Sequence, residues 1–350
     1  MRYFIITFGC QMNKSDSERI ATILEKEGYW PAPKIDEADL IVVNMCSVRQ
    51  SAVDRVYGLA PKFKKLKTKN PGLKTVLTGC ILKKDQEKFR KVFDSIWPMR
   101  DYFQITPKCQ NNFRAFIPIS NGCNNFCSYC VVPFVKGPLV CRDHKEILEE
   151  VKNVVNKGFK EIWLLGQNVN DYQSPTNPSI NFPKLLKIVN DIPGNFWIRF
   201  TSPHPMNFTD ELIEVMAKSK KVAKYLHLPV QSGDNEILKK MNRPYTVEQY
   251  KNLVKKIREK MGPAKAGGRR AGRSPDINLS TDVIVGFPSE TKKQFENTVK
   301  LFKEIKFNYA YIAKYSPRPG TAAFKLKDDI PLEEKKRREK ILREILTNTY

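Results

Sequence analysis

Residues 115–119, Ala115-Phe116-Ile117-Pro118-Ile119, form a short apolar run that delivers the loop Gly122-Cys123-Asn124-Asn125-Phe126-Cys127-Ser128-Tyr129-Cys130. Three cysteines at C-x3-C-x2-C spacing, crowded into one loop, can ligate a single metal centre. They leave a cubane cluster with one iron that the protein does not ligate. A structural zinc site wants a closed set of four ligands, and no Cys or His stands at a suitable spacing just outside the three. The alternative is three buried free thiols, or one disulfide with a spare. Such density is wasteful for packing and open to oxidation.

Downstream of the loop, strand and helix patterns alternate. Helices are expected near 145–157, 182–190, 209–218, 234–241, 246–260 and 290–305. Strands are expected at 161–165, 196–200, 224–228, 279–285 and 309–315. With 115–119 this makes six strands, too few for a closed eight-fold barrel, and an open six-stranded α/β barrel fits. Its C-terminal strand edge would carry the cysteine loop together with the polar strand endings Gly166-Gln167-Asn168, Ser202-Pro203-His204-Pro205, Gln231-Ser232-Gly233 and Gly286-Phe287-Pro288.

Upstream, strand–helix repeats three times, the pattern of a parallel α/β sheet. Strands are read at 2–8, 40–43 and 75–78. The first helix is expected to start at 15–18. One helix carries Val53, Val56, Tyr57 and Leu59 into a basic far end with Lys62, Lys64, Lys65, Lys67 and Lys69, and another begins near Asp85. Cys10, Cys46 and Cys80 each fall just past a strand end. In a parallel sheet those ends share one edge, so three cysteines distant in sequence converge on a second three-thiolate site. The alternative makes each of them a small packing residue at a turn.

Residues 96–113 read as an irregular connection in which Cys109 is a free thiol. A Gly/Ala/Arg-rich insertion at 262–275 has no periodicity and reads as a surface loop. A charged amphipathic helix closes the chain at 332–346. The 350 residues leave room for a large core, and no run of about eighteen apolar residues could span a membrane. The N-terminus lacks the length and cleavage site of a signal peptide, which points to the cytoplasm. There, eight cysteines are expected to be ligands or catalytic groups and not a disulfide framework. The net charge of +24, from 61 Lys+Arg against 37 Asp+Glu, suits a polyanionic partner, although a lysine-rich genome would colour every surface in the same way.

A cluster held by three thiolates offers its fourth iron to an exogenous ligand. S-adenosyl-L-methionine can chelate that iron through its amino and carboxylate groups. Electron transfer from the cluster then cleaves the sulfonium and makes a 5′-deoxyadenosyl radical. Tyr129, just before the last cysteine, stands where it could pack on the adenine, with ordinary loop packing as the alternative.

The C-x3-C-x2-C loop followed by Val131-Val132-Pro133-Phe134 resembles the radical S-adenosylmethionine superfamily. Its companions resemble the methylthiotransferases: Phe8-Gly9-Cys10-Gln11-Met12-Asn13, Leu164-Leu165-Gly166-Gln167-Asn168-Val169, Ser202-Pro203-His204-Pro205, Leu228-Pro229-Val230-Gln231-Ser232-Gly233, Ile284-Val285-Gly286-Phe287-Pro288 and Tyr315-Ser316-Pro317-Arg318-Pro319-Gly320. Gln11-Met12-Asn13 resembles the branch acting on isopentenyl-adenosine in tRNA. The likeness spans residue 1 to about residue 346.

The resemblance implies two [4Fe-4S] clusters. Cys123, Cys127 and Cys130 would hold the radical-generating one. Cys10, Cys46 and Cys80 would hold an auxiliary one that carries or supplies sulfur. Gly166, Gln167, Asn168, Ser202, Gln231, Ile284, Val285 and Gly286 would line the S-adenosylmethionine pocket. The reaction implied is methylthio transfer to adenine C2 at tRNA position 37, by a monomer served by a reducing electron donor and a sulfur source. Implied domains are an N-terminal methylthiotransferase domain at 1–100, a linker at 101–113, a radical-SAM partial barrel at 114–324 and a charged helix at 325–350.

Three departures stand out. Lys136-Gly137-Pro138-Leu139-Val140-Cys141-Arg142 keeps only part of the family's Arg-Gly-x-Glu-x-Ser-Arg run and leaves Cys141 without a role. The 262–275 insertion is unusual, and the family's small C-terminal RNA-binding β-barrel is expected to be absent. Alternatives are the same chemistry on threonylcarbamoyl-adenosine tRNA or a ribosomal-protein side chain, or a basic, non-enzymatic RNA-binding protein with metal centres.

Overall fold

The computed structural model describes residues 1–48, 50–98, 102–109, 113–262 and 277–348. Apart from Gly262, the 262–275 insertion lies outside the described residues. In the N-terminal part the elements run β1 (Arg2–Phe8), α1 (Gln11–Lys26), β2 (Trp30–Pro31), β3 (Leu40–Cys46), α2 (Gln50–Tyr57), α3 (Ala60–Lys69), β4 (Lys74–Cys80), α4 (Lys83–Phe89) and β5 (Ser95–Ile96). The strands form one parallel sheet in the order β2-β1-β3-β4-β5. β3 is central and covered on both faces, hence its unbroken Leu-Ile-Val-Val run. On one face Ile20, Ala21 and Leu24 of α1 meet Tyr3, Val42 and Val76. On the other, Val53, Val56, Phe63 and Phe89 meet Ile41, Val43 and Leu77.

Two expectations shift here. α1 starts at Gln11, a turn earlier than expected, because Cys10 itself occupies the N-cap and shares a reciprocal capping box with Asn13. The single helix expected after Cys46 is two. Pro61 has no N–H to continue a helix but is tolerated in the first turn of a new one, so α3 restarts there.

The rest of the chain runs β6 (Arg114–Pro118), β7 (Ser120–Asn121), α5 (Val132–Lys136), β8 (Val140–Cys141), α6 (His144–Asn156), β9 (Glu161–Leu165), α7 (Phe182–Asp191), β10 (Trp197–Phe200), α8 (Asp210–Lys218), β11 (Tyr225–His227), α9 (Asn235–Lys240), α10 (Val247–Met261), β12 (Asn278–Val285), α11 (Lys292–Ile305), β13 (Tyr309–Lys314) and α12 (Leu332–Asn348). Two three-stranded parallel sheets result, β10-β9-β6 and β11-β12-β13. They are joined where Ile198 N donates to Lys221 O at 2.8 Å and Ala223 N to Ile198 O at 2.9 Å. One side of each strand, including Ile117, Ile162, Leu164, Ile198, Leu226 and Val283, is buried in the main core with Val151, Leu186 and Phe302 from the helices. The alternate residues are more open, with the Arg199 guanidinium lying against the Trp163 and Tyr225 rings.

α12, expected as a charged amphipathic helix, packs one face into the molecule. Leu342 is fully buried, and Arg338 pairs with buried Glu290 at 2.6 Å. No helix among the described residues is long and apolar enough to cross a membrane.

The two parts are tied by charge. Glu150 on α6 takes Arg19 of α1 on one carboxylate oxygen at 2.5 Å and Arg142 on the other. Both guanidinium side chains are nearly inaccessible, at 0% and 7% exposure. Ser15 Oγ adds a bond to Phe116 O at 3.0 Å across the same junction. Replacing Glu150 by Ala leaves buried Arg19 without its carboxylate and Arg142 with Glu146 alone, at 3.4 Å, and we expect a loss of about 3–5 kcal/mol in unfolding free energy. Urea unfolding checks this, and an unchanged midpoint would show that the junction is held by other contacts.

Candidate metal centres

In a parallel sheet of order 2-1-3-4-5 the crevice opens between the first and third strands, where the winding direction reverses. Cys10 follows β1 and Cys46 ends β3 at that point. Cys80 ends β4 as the register partner of Cys46. Asn13 fixes the corner. Its Oδ1 accepts from the Cys10 N–H at 3.2 Å, while its Nδ2 donates to Asn44 Oδ1 at 3.0 Å and Met45 O at 3.3 Å. Gly79, at φ +103°, lets β4 close on β3, since a Cβ there would lie 2.3 Å from Met45 O.

The Cys80 thiol is pushed well up by the hydrogen-bonded Cys46 thiol and by burial. Cys10 has surface open to solvent, yet desolvation in the cleft, and then Cys46, raise its thiol too. Three protonatable thiols held together without a disulfide are a donor set that a cation would deprotonate and hold. Among the described residues no group of three or more His, Cys, Asp or Glu forms a site for a single metal ion. A cubane asks for a different arrangement, since each protein thiolate binds its own iron and the sulfurs stand at separate corners.

The second trio is held by its loop. Gly122 turns at φ +76°, where a Cβ would fall 1.9 Å from Pro138 O. Cys123 N donates to Gly137 O at 3.2 Å, and Cys130 N to Cys127 O at 3.0 Å. The other side is clamped by the turn after α9. Ser128 N bonds Met241 O at 3.0 Å, Ser128 Oγ bonds Lys240 O at 2.7 Å, and Asn242 Nδ2 bonds Phe126 O at 2.8 Å. Buried Arg243 donates from Nη1 to Cys127 Sγ at 3.3 Å, and its other nitrogens reach Tyr245 Oη and Pro229 O. Burial pushes the Cys130 thiol up to about 12 and raises Cys123 as well.

The residues expected around a cofactor differ in what they leave free. Among the described residues, Gln167 Oε1 and Ser120 Oγ are buried without a hydrogen-bond partner, and a Cβ on Gly166 would lie 2.6 Å from that Ser120 oxygen. Ser202 at φ +55° and Gln231 at φ +70° hold left-handed backbone, a strain of about 1–3 kcal/mol each that clusters at ligand sites. These features suit a polar ligand. Asn168 is committed to bracing, giving Nδ2 to Asp171 Oδ2 at 2.6 Å and accepting His204 N at 3.2 Å. Asp171 also accepts from Asn125 in the cysteine loop at 3.5 Å.

Tyr129 and Ile284 pack with Met241, Phe287 and Tyr315 in a satellite cluster, and Val285 is part of the main core. Gly286 N donates to Glu290 Oε2 at 2.7 Å. Burial, then Arg243, hold His204 down to about 3, so it is neutral. The departing run resolves in part. Cys141 ends β8 beside Ser120, its sulfur accepting Gln173 N at 3.5 Å, and Arg142 serves the junction.

Arg243, Arg318 and Asp171 were not singled out as site residues from sequence. Arg318 spans the junction, donating to Gln50 Oε1 at 2.8 Å and Val48 O at 3.2 Å in the segment after Cys46. A buried cation has no local pattern that distinguishes it from the many exposed ones.

The Radical SAM superfamily model matches residues 117–302, and that of uncharacterized protein family UPF0004 matches residues 2–97. The chain is 42% identical to the tRNA-2-methylthio-N(6)-dimethylallyladenosine synthase of Clostridium novyi (strain NT), over 95% of this chain and 78% of that relative. It is 40% identical to the enzyme of that name from Carboxydothermus hydrogenoformans, over 96% and 81%. Among solved structures it resembles the radical S-adenosylmethionine methyltransferase TsrM from Kitasatospora setae, with a TM-score of 0.64 over 92% of this chain and 75% of that one at 14% identity. It also resembles the cobalamin-dependent S-adenosylmethionine radical enzyme OxsB, with a TM-score of 0.59 over 99% and 56% at 10% identity. At those identities the likeness concerns the fold.

Arg243→Ala removes the donor to Cys127. We expect iron held by the second trio to be lost to a chelator about 10–100-fold more readily. The decay of cluster absorbance measures it, and Arg243→Lys should lose less.

Proposed function

We infer the function of this chain from its kinship: it belongs to the radical SAM superfamily and, within it, to the tRNA-2-methylthio-N(6)-dimethylallyladenosine synthases. It is a transferase that places a methylthio group on C2 of dimethylallyl- (isopentenyl-) adenosine in tRNA, beside the anticodon at position 37. The observation that carries this reading is the pair of three-cysteine sets at the junction, in a chain whose likeness to those relatives runs almost end to end.

In this reading Cys123, Cys127 and Cys130 hold one [4Fe-4S] cluster, and Cys10, Cys46 and Cys80 hold the other. When bound, a three-thiolate cluster supplies an open iron that activates S-adenosylmethionine for radical formation at one site and carries sulfur at the other. The chain's own residues then do the placing. The turn at 240–243 fixes the radical loop, and Asp171 braces Asn125 and Asn168 beneath it. Gln167, Ser202 and Gln231, with Gly166 making room, supply polar contacts to the cofactor. Tyr129, Ile284, Val285 and Gly286 form the apolar wall behind it, and Asn168 acts by positioning. The two three-stranded sheets are halves of an open six-stranded barrel whose C-terminal edge faces the N-terminal sheet.

We place the domains at 1–100 and 114–324, with a linker at 101–113 and a charged helix at 325–350. The net charge of +24 serves the tRNA. The protein acts in the cytoplasm as a monomer with an external electron donor and sulfur source.

Nucleoside mass spectrometry of tRNA from a deletion strain should show loss of the 2-methylthio derivative and build-up of its dimethylallyl precursor. An unchanged profile would sink this reading. In the anaerobically reconstituted protein, Cys127→Ala should abolish 5′-deoxyadenosine formation. Cys46→Ala should spare it while stopping sulfur insertion.

A further inference from the structure

The cations of this chain are not spread evenly over its surface. Residues 50–94 hold 12 Lys+Arg against 4 Asp+Glu, whereas residues 143–261 hold 19 against 14. In the first stretch α2, α3 and α4 cover one face of the N-terminal sheet, and rings beneath tie them into one layer. Tyr57 of α2 stacks on Phe89 of α4 with centroids 4.3 Å apart, and Phe93 packs on both Phe89 and Phe63 of α3. Arg55, Lys62, Lys65, Lys69, Lys84 and Lys88 are exposed on the outer side of that layer.

Their placement separates a binding face from a merely solvated one. In the second part of the chain, exposed lysines stand beside acids: Lys218 by Glu214 at 3.2 Å, and Lys255 by Glu259 and Lys340 by Glu344, both at 3.9 Å. On the layer of α2, α3 and α4, the one ion pair among the described residues joins Lys67 to Asp94 at 2.6 Å. Of the other acids there, Asp85 is buried, Asp54 takes Gln50 Nε2 at 2.8 Å, and Glu87 is exposed. Lys62, Lys65 and Lys69 repeat at i, i+3 and i+7 along one stripe of α3, and Lys84 and Lys88 stand one turn apart on α4. Like charges so placed weaken a helix. A lysine-rich composition acting everywhere would have left the same paired pattern on both parts.

The layer begins at the cysteine edge. α2 starts four residues after Cys46 and α4 three after Cys80. Ser47 binds the two starts together, giving its N–H to Cys80 O at 2.7 Å and accepting Leu82 N on Oγ at 3.4 Å. From that edge the helices carry the exposed cations away from the junction, and α3 alone runs about 15 Å.

We propose that the outer face of α2, α3 and α4 binds RNA, taking the phosphates of the stem that adjoins the anticodon loop. This rests on the reading that the substrate base lies in that loop, since the stem is the double helix contiguous with it. Duplex RNA offers a protein its phosphates and shape more than its base edges. Five of the six named cations are lysines, which meet phosphate as point charges and ask for no base geometry. The face supplies affinity and not sequence choice.

The test measures binding of the full chain to a tRNA, and to its isolated anticodon stem-loop, by fluorescence anisotropy across a salt series. Lys62→Gln, Lys65→Gln and Lys69→Gln together should weaken both complexes about tenfold or more and lower the slope of log affinity against log salt by about 2–3. Lys218→Gln, Lys255→Gln and Lys340→Gln remove the same charge from the other part and should leave both complexes near the parent. Lys84→Gln with Lys88→Gln, on a different helix, should repeat the loss in smaller measure. Equal weakening by the two triple variants would reduce the effect to net charge and overturn the proposal. So would parental binding by the α3 variant, or a loss seen with whole tRNA and not with the stem-loop. Loss of sedimentation with phosphatidylserine vesicles while RNA binding stands would assign the face to a membrane surface and overturn it too.

Complementation of the deletion strain keeps the two readings apart. If the parent chain restores the 2-methylthio nucleoside while the α3 variant binds RNA as the parent does, this proposal fails alone. If the parent restores nothing, the functional reading fails and takes the stem assignment with it.

Discussion

One carboxylate decides how the two parts of this chain meet. Glu150 lies between guanidiniums that come from opposite sides of the junction, and both are sealed from water. A buried ionic triad is a poor source of net stability, but it tolerates little displacement, because a shift that breaks either pair leaves a charge unpaired in a low dielectric. In the proposed function both cysteine sets serve one reaction, and that intolerance is what would hold them at a fixed separation. Ser15 on Phe116 and Arg318 on the segment after Cys46 add neutral and charged contacts on the same junction.

Around this frame, backbone geometry does what side chains cannot. Glycine precedes a cysteine at Gly79-Cys80 and Gly122-Cys123, and in both places a Cβ would collide with a carbonyl oxygen. The sulfur-bearing residue is delivered by a turn that only glycine makes at low cost. On the barrel side Ser202 and Gln231 are two of the non-glycine residues held at positive φ among the described residues, and both are polar.

Much of this was readable in the residues. The strands around Val42, Val76 and Ile162 announce themselves because both or one of their faces must be apolar. The convergence of Cys10, Cys46 and Cys80 follows from parallel topology alone. What escaped has physical reasons. Cys10 as a helix cap has no compositional signal, since capping is usually done by Ser, Thr, Asp or Asn. The edge strands β2 and β5 are two residues long and carry no period. Arg19, Arg243, Lys335 and Arg338 sit among 61 Lys and Arg residues, and nothing local marks the buried few. Three-dimensional closure chooses them.

The last helix has a consequence for the order of events at the ribosome. The strand end at Gly286 is braced from behind by α12: Lys335 fills the space a Cβ on Gly286 would take, and Arg338 holds Glu290, which in turn holds the Gly286 N–H. Because the N-terminal part of a chain emerges first, both cysteine trios are made long before this brace. The nascent chain therefore carries both cysteine trios while the strand end at Gly286 is still unbraced, and its bracing waits for Lys335 and Arg338, well after the second trio.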